Sequence, residues 1–241
     1  MPLRQFAMTV AAGALSLFGL AADPVTASPV LVELYTSQGC SSCPPADALL
    51  AEMVEQDDVI ALTLNVDYWD YLGWRDKLAK PEHTARQRAY QKAWMARSIY
   101  TPQIVVQGET GVIGSRRGEV FAAINRHAAR PAQAAVSLAA NGGTLNIGIE
   151  PLAEGVEGPA SVWLVSYTGP HVVPIGRGEN AGRQVTYHNV SRSIDRIAEW
   201  DCRTPVSLTA EIDPAVKGYA VIVQKDRVGP VLAAARWEPG Q

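Results

Sequence analysis

Two cysteines three residues apart, Cys40 and Cys43, stand between a β-rich apolar run and a helical apolar spacing. That placement constrains the chain more than any other feature. Val30 to Tyr35 is a short strand-forming run with turn residues directly after it. Behind the pair, Pro44 and Pro45 suit the first turn of a helix, where backbone N–H groups have no intrahelical partner. The spacing of Ala46, Leu49, Leu50, Met53 and Val54 carries that helix to about Asp57.

A Cys-x-x-Cys at a helix N-terminus has a defined chemistry. The unpaired amides and the positive end of the macrodipole favour a thiolate over a thiol. Cys40, the more N-terminal and by position the more exposed sulfur, is the expected nucleophile. Cys43, one turn inside, is the expected resolving thiol. Three other readings stay open: an inert structural disulfide, half of a zinc site, or a clamp for copper(I). Zinc needs further Cys or His ligands. No second Cys-x-x-Cys exists, and His83, His127, His171 and His188 show no ligand spacing, so no metal and no cofactor is assigned. The third cysteine, Cys202, reads as a buried bystander or as a thiol for pairing between molecules.

At 241 residues the chain has room for one large domain or two small ones. A formal charge of −3 and a pI near 5.8 give no electrostatic case for nucleic acid or an anionic membrane as partner. Residues 1–27 read as an export signal. Arg4 supplies the charged start, Phe6 to Leu20 the apolar stretch, and Val25-Thr26-Ala27 the small residues for cleavage. That stretch, about 15 residues, is short for a membrane span, which needs roughly 20. The expected address is periplasmic or secreted, with no membrane span after signal removal, in a compartment where disulfides persist.

Asp58 to Val66 is a second β run, apolar almost throughout, as in strands buried on both faces of a parallel sheet. The connection through the Cys-bearing helix then makes a right-handed βαβ unit. The loop Asp67 to Trp74 follows, with four aromatics in eight residues. It leaves the sheet edge where ligands bind in open α/β folds. Tyr68, Trp69 and Trp74 are candidates for a substrate wall or for a packed cap. Asp67 and Asp70 read as turn-fixing residues or as acids near the sulfurs. A helix runs from Pro81 to Arg97, with Arg86 and Arg88 on a solvated face or, alternatively, an Arg pairing with Asp67 or Asp70. Pro102 precedes a β run, where proline tolerates a strand start or an edge, and Thr101–Pro102 is a candidate cis peptide. Gly108 to Gly111 reads as hairpin punctuation before a short strand at Val112 to Gly114. An amphipathic helix spans Gly118 to Ala129.

This β-α-β-α-β-β-α order, with its Cys-x-x-Cys and its Thr-Pro, resembles the thioredoxin fold. The resemblance implies a cis-proline loop lying against the cysteines, with Thr101 and Pro102 meeting the substrate backbone. It also implies a buried acid in the first strand, matched by Glu33, that moves protons for the inner cysteine, since burial raises a carboxyl pKa. More closely, the chain is similar to a family of secreted bacterial proteins of unknown function. The similarity rests on the stretches Glu33 to Asp47, Val66 to Trp74, Arg86 to Tyr90 and Tyr100 to Val106, and later on Arg177 to Arg183. Ser41-Ser42 between the cysteines, in place of a histidine, implies an intermediate redox potential.

Ala129 to Ala132 reads as a linker. Beyond it come seven short β runs: 134–140, 144–149, 160–168, 184–190, 206–211, 219–224 and 231–236. Asn141-Gly142-Gly143 is a hairpin signal, and the set suggests an antiparallel sandwich or partial barrel. Gly176 to Arg183 reads as a charged glycine-rich turn, or as a loop whose Arg177, Glu179 and Arg183 bind substrate or bridge to the first domain. The expected architecture is a signal peptide (1–27), an α/β thioredoxin-like domain (28–130) and an antiparallel all-β, sandwich-like domain (131–241). The expected function is an exported thiol–disulfide oxidoreductase. Its catalytic residues would be Cys40, Cys43, Glu33 and Pro102, and its substrate contacts Thr101, Tyr68, Trp69 and Trp74. Its partners would be a protein or small-thiol disulfide and a second redox protein. The alternatives are a copper(I) metallochaperone or sensor, or a non-catalytic binding module with a structural disulfide.

Overall fold

A computed structural model describes residues 28–152, 156 and 158–240. The export signal expected at residues 1–27 lies outside the described residues.

The first strand, β1 (Val30–Thr36), is buried at every position, the mark of a strand covered on both faces. It leads through the cysteine loop into α1 (Pro44–Met53), whose apolar face holds Ala46, Leu49, Leu50 and Met53. β2 (Val59–Asn65) is also wholly buried and lies parallel to β1, with Val30 opposite Val59 and Thr36 opposite Asn65. A single 3-10 turn at Asp70–Leu72 sits inside the aromatic loop. α2 (Pro81–Ala93) then returns the chain to β3 (Gln103–Val106), antiparallel to β1, and β4 (Thr110–Ile113) pairs with β3. α3 (Arg117–Ala128) ends this half. Nine strands follow: β5 (Ala134–Asn141), β6 (Thr144–Pro151), β7 (Ala160–Thr168), β8 (His171–Pro174), β9 (Gln184–Tyr187), β10 (Val190–Trp200), β11 (Val206–Glu211), β12 (Gly218–Lys225) and β13 (Val231–Trp237).

The two halves share one sheet. Eight strands run in the order β13-β12-β7-β10-β2-β1-β3-β4, so strands from both ends of the chain are continuous. This overturns the expected thioredoxin-like α/β domain followed by a separate β-sandwich. The molecule is mostly β-structure, with three α-helices among the described residues, built on a single mixed sheet. The physical reason lies at the seam. β2 is apolar and buried, and its free edge would otherwise be a template for aggregation. β10 covers it through one parallel pair, Val190 opposite Thr63. Side chains reinforce the join: the Thr63 hydroxyl donates to the His188 carbonyl at 2.7 Å, and Asn189 Nδ2 donates to the Ala61 carbonyl at 3.1 Å.

Alternation along β1 divides the core into faces. Leu31 and Tyr35 join Leu62, Tyr90, Val165, Tyr167 and Ile222 in a layer beneath α2 that spans both halves. Val32 and Leu34 point the other way and pack with α1 and α3. Farther along that sheet, Val162, Leu164, Val221 and Val223 meet a separate three-stranded sheet, β11-β6-β5, through Leu145, Ile147 and Ile149. In place of the expected separate sandwich, a three-stranded layer packs on the common sheet.

Candidate functional site

Cys40 and Cys43 are joined as a disulfide. Cys43 is the N-cap of α1, and Cys40 lies in the turn before it, held by Cys43 N–H donating to the Cys40 carbonyl at 3.2 Å. Two expectations are corrected here. Cys40 is not an exposed sulfur: it is 1% exposed and Cys43 0%, while Ser41 and Ser42 between them face solvent. Nor do free helix amides point at the sulfurs. Pro44 and Pro45 have no N–H, and the amides of Ala46 and Asp47 both donate to the Cys43 carbonyl, at 2.8 and 3.1 Å. What remains near Cys40 is the Ser42 hydroxyl, 3.4 Å from its sulfur. Stabilisation of a thiolate therefore falls to the macrodipole and to that hydroxyl rather than to backbone donors.

One turn along α1 sits a residue to which the sequence reading assigned no role. Asp47 is 3% exposed, and neither of its carboxyl oxygens has a hydrogen-bond partner. Burial pushes its pKa up to about 8. The nearby Thr36 hydroxyl pulls the other way without closing a hydrogen bond, and the Asp76 carboxyl adds to the rise. The Tyr187 phenol on β9 is raised in turn by burial and by these two acids. The signal was present in the sequence: Asp47 is four residues after Cys43, on the same helix face as Leu50 and one position from Ala46, an acid within the apolar stripe.

Three other segments cage the cysteine loop. Buried Asp76 accepts from Gln38 N–H at 2.9 Å and from Asn65 Nδ2 at 3.0 Å. From the aromatic loop, Trp74 Nε1 donates to Gln38 Oε1 at 2.8 Å. Trp69 backs Gly39 so closely that a Cβ there would lie 3.2 Å from the Trp69 Cβ. The third segment is the Gly176 to Arg183 loop. Asn180, 1% exposed, donates through Nδ2 to both the Gln38 and the Cys40 carbonyls, at 3.0 and 2.8 Å. Beside it Glu179 accepts from Ser41 N–H at 3.3 Å. The loop read mainly as a charged turn is a clamp on the disulfide, reaching it from about 140 residues away along the chain.

The remaining predicted residues fall into two groups. Thr101–Pro102 is a cis peptide, as expected. Pro102 Cβ and Ala46 Cβ converge on Gly114, which places the proline loop beside the first turn of α1. Thr101 Oγ1 accepts from Trp69 Nε1 at 2.8 Å, tying that loop to the aromatic one. Tyr68, Trp69 and Trp74 are each half-buried, with Tyr68 donating to Gln87 Oε1. Asp67 and Asp70 fix the loop, accepting from Thr84 Oγ1 and Asp76 N–H. Glu33 is not brought to the cysteines. It lies on the α2 face, whereas α1 packs on the other, and Arg86 holds it through two nitrogens at 2.6 and 3.3 Å. Tyr90 Oη adds a third donor to Glu33 at 2.6 Å. Arg86, read as solvated or as a partner of the loop acids, is buried in this pair. Cys202 is buried and free within the second-half core.

Fold and site define a class: a mixed-sheet protein whose Cys-x-x-Cys disulfide caps a helix and is held down by loops from both halves. The chain belongs to the DUF1223 family, described as proteins of unknown function, whose model matches residues 31–224. The resemblance to a family of unknown function is thereby confirmed; the match brings no thioredoxin assignment with it. The crystal structure of protein AGR_C_4864 from Agrobacterium tumefaciens is similar, at 29% identity and a TM-score of 0.77, over 89% of this chain and 96% of that one. HBP35 of Porphyromonas gingivalis shares the fold alone, at 15% identity and a TM-score of 0.55, over 88% of this chain and 75% of its own. No curated protein gives a significant match.

Proposed function

We propose that the protein is a thiol–disulfide oxidoreductase acting through Cys40 and Cys43. The observation that carries this reading is Asp47. A disulfide that only staples a loop has no use for a buried carboxyl without partners beside it, and burying such a group is unfavourable. Perturbed acids in that position are characteristic of proton-transfer sites. The reduced protein begins with Cys40 as thiolate, which attacks one sulfur of a substrate disulfide and releases a substrate thiolate. The ionised fraction of Asp47, small at pH 7 and half of the molecules near pH 8, then accepts the Cys43 proton. The Cys43 thiolate attacks Cys40, the mixed disulfide breaks, and the second substrate thiolate leaves. The substrate gains two electrons, and the Cys40–Cys43 disulfide is restored. A dithiol running the steps in reverse reduces the pair again.

Thr101 and the cis-Pro102 loop, beside the first turn of α1, are the surface for the substrate backbone, with Trp69 and Trp74 as its walls. Residues 1–27 as an export signal belong to the same proposal, since an oxidising compartment favours the disulfide form. One observation favours a second reading, a structural disulfide in a binding module: both sulfurs are buried. Equilibration in glutathione buffers separates the two. A potential between roughly −120 and −270 mV is expected of a working pair. A value below about −300 mV would mark a structural staple and overturn the redox reading.

A further inference from the structure

Where the two halves meet, beside the C-terminal end of β2, lies an open cleft of about 530 Å³. Three segments build most of it. The chain entering α2 supplies Lys77 and Lys80, the corner from β7 to β8 supplies Thr168 and His171, and the start of β10 supplies Ser191 and Arg192. The sheet fixes all three. Lys80 N–H donates to the Asn65 carbonyl at the end of β2, at 3.2 Å, and Val190 lies opposite both Thr63 of β2 and Thr168 of β7.

The charge on this wall is of one sign. Lys77, Lys80 and Arg192 are cations, and no acid lines the cleft among the described residues, in a chain whose net charge is −3. Lys77 and Arg192 are exposed, and Lys80, Thr168 and His171 are half-buried, so a solute can reach all five. Among the described residues Lys77 and Lys80 form no ion pair. Arg192 faces Asp213, which stands outside the wall, at 3.7 Å. That distance is too long for a hydrogen bond, so the guanidinium keeps its donors.

Arg192 owes its place to a bulge. The register passes from Ser191 opposite Tyr167 to Ser193 opposite Ser166, which leaves Arg192 as the extra residue with no partner on β7. A bulge breaks the alternation that would otherwise turn Arg192 away from Ser191, and bulges re-aim side chains beside sites. Across the cleft, Thr168 Oγ1 and His171 Nε2 are hydrogen-bonded at 2.8 Å, which fixes two polar groups on the wall.

We infer that this cleft binds a small phosphorylated molecule carrying more than one negative charge, held between Lys77, Lys80 and Arg192. Three cations around one cleft repel one another, and a shared multivalent anion removes that repulsion. Lysine point charges and a guanidinium fork are the donors that suit phosphate oxygens. A water molecule takes about 30 Å³ of liquid, so the cleft has room for an organic body beside the phosphates. The site is independent of the redox reading.

Inorganic pyrophosphate is the probe, titrated calorimetrically into the intact protein at fixed ionic strength. Citrate serves as a multivalent anion without phosphate. Saturable one-to-one binding of pyrophosphate is expected, severalfold tighter than binding of citrate. Arg192→Gln and Lys80→Gln should each weaken it about tenfold, the worth of one charge-assisted hydrogen bond. Lys77→Gln, at an exposed position, repeats the test if either variant folds poorly. Arg126→Gln makes the same charge change at an exposed position on α3 and should leave the affinity unchanged. Citrate binding as tightly as pyrophosphate, equal losses in Arg192→Gln and Arg126→Gln, or unchanged affinity in a folded Arg192→Gln variant would overturn the assignment.

Discussion

Two buried acids sit on opposite faces of the same sheet, and their surroundings differ in kind. Glu33, on β1, receives two hydrogen bonds from Arg86, one from Tyr90 and a longer one from Tyr35, so both of its carboxylate oxygens are matched. Asp47, on α1, has no partner at either oxygen. A matched ion pair deep in a core fixes geometry: it joins α2 to β1, and through Gln224 to β12 of the other half. An unmatched carboxyl does none of this. It holds a proton near neutral pH and lies one turn from a cysteine. The contrast assigns architecture to Glu33 and chemistry to Asp47, the reverse of what strand position alone suggests.

Breaking the matched pair should have the largest effect. Arg86→Ala leaves the Glu33 carboxylate buried and uncompensated, a loss of about 3–5 kcal/mol measured by urea denaturation. Replacing both partners, with Arg86→Met and Glu33→Leu together, should recover most of that stability. Equal losses in the single and double variants would contradict a purely architectural role.

The unmatched acid makes the opposite prediction, and its sign follows from its pKa. Asp47 keeps its proton up to about pH 8 in the folded state. In the unfolded chain an aspartate loses it near pH 4, at about 3.9. The folded state therefore holds the extra proton between these values, and its contribution to stability is complete below the lower one. It is lost progressively as pH rises towards the upper one. Stability should fall by up to about 4 kcal/mol between pH 5 and pH 8 on this account, from three pH units at about 1.4 kcal/mol each. Asp47→Asn should flatten that slope, read from denaturation midpoints across the same range. A slope unchanged by the substitution would place the titrating group elsewhere.

A smaller effect belongs to the clamp. Asn180→Ala removes two hydrogen bonds to the cysteine loop, together about 1–3 kcal/mol. Reduction of the disulfide by dithiothreitol should then quicken roughly tenfold, since about 1.4 kcal/mol corresponds to a factor of ten. An unchanged rate would mean that the Gly176 to Arg183 loop does not govern access.

Much of the fold was legible because the relevant elements follow simple periods. β7 and β11 match their β runs end to end, and the apolar spacing of α1, the cis Thr101–Pro102 bond and the Asn-Gly-Gly hairpin all follow from local chemistry. What failed was the architecture, and one strand explains the failure. β10 reads Val-Ser-Arg-Ser-Ile-Asp-Arg-Ile-Ala-Glu-Trp, half of it polar. Register shifts at Ser191/Ser193 and Arg196/Ala198 interrupt its two-residue alternation. No apolar pattern marked it as a strand, and it is the strand that fuses the two halves. The site was legible in its cysteines and its proline. Glu179 was legible as one alternative, a bridge from its loop to the first half, and it does meet Ser41 N–H. Asn180 was not, because it approaches from the far end of the chain, through contacts that no local pattern encodes. Glu33 misled because an acid in a buried strand looks the same in sequence whether or not an arginine meets it.

The central claim is that Asp47 takes the Cys43 proton. Its most direct test is the rate at which the reduced protein closes its disulfide after mixing with glutathione disulfide, followed from pH 6 to pH 9 in wild type and Asp47→Asn. The account predicts closure at least tenfold slower in Asp47→Asn at pH 7, consistent with the usual contribution of a general base of about 10²–10⁴. The gap should widen up to about pH 8 as Asp47 ionises, and narrow above it as Cys43 ionises without help. Identical rates at every pH, in a variant that retains its fold, would contradict the account.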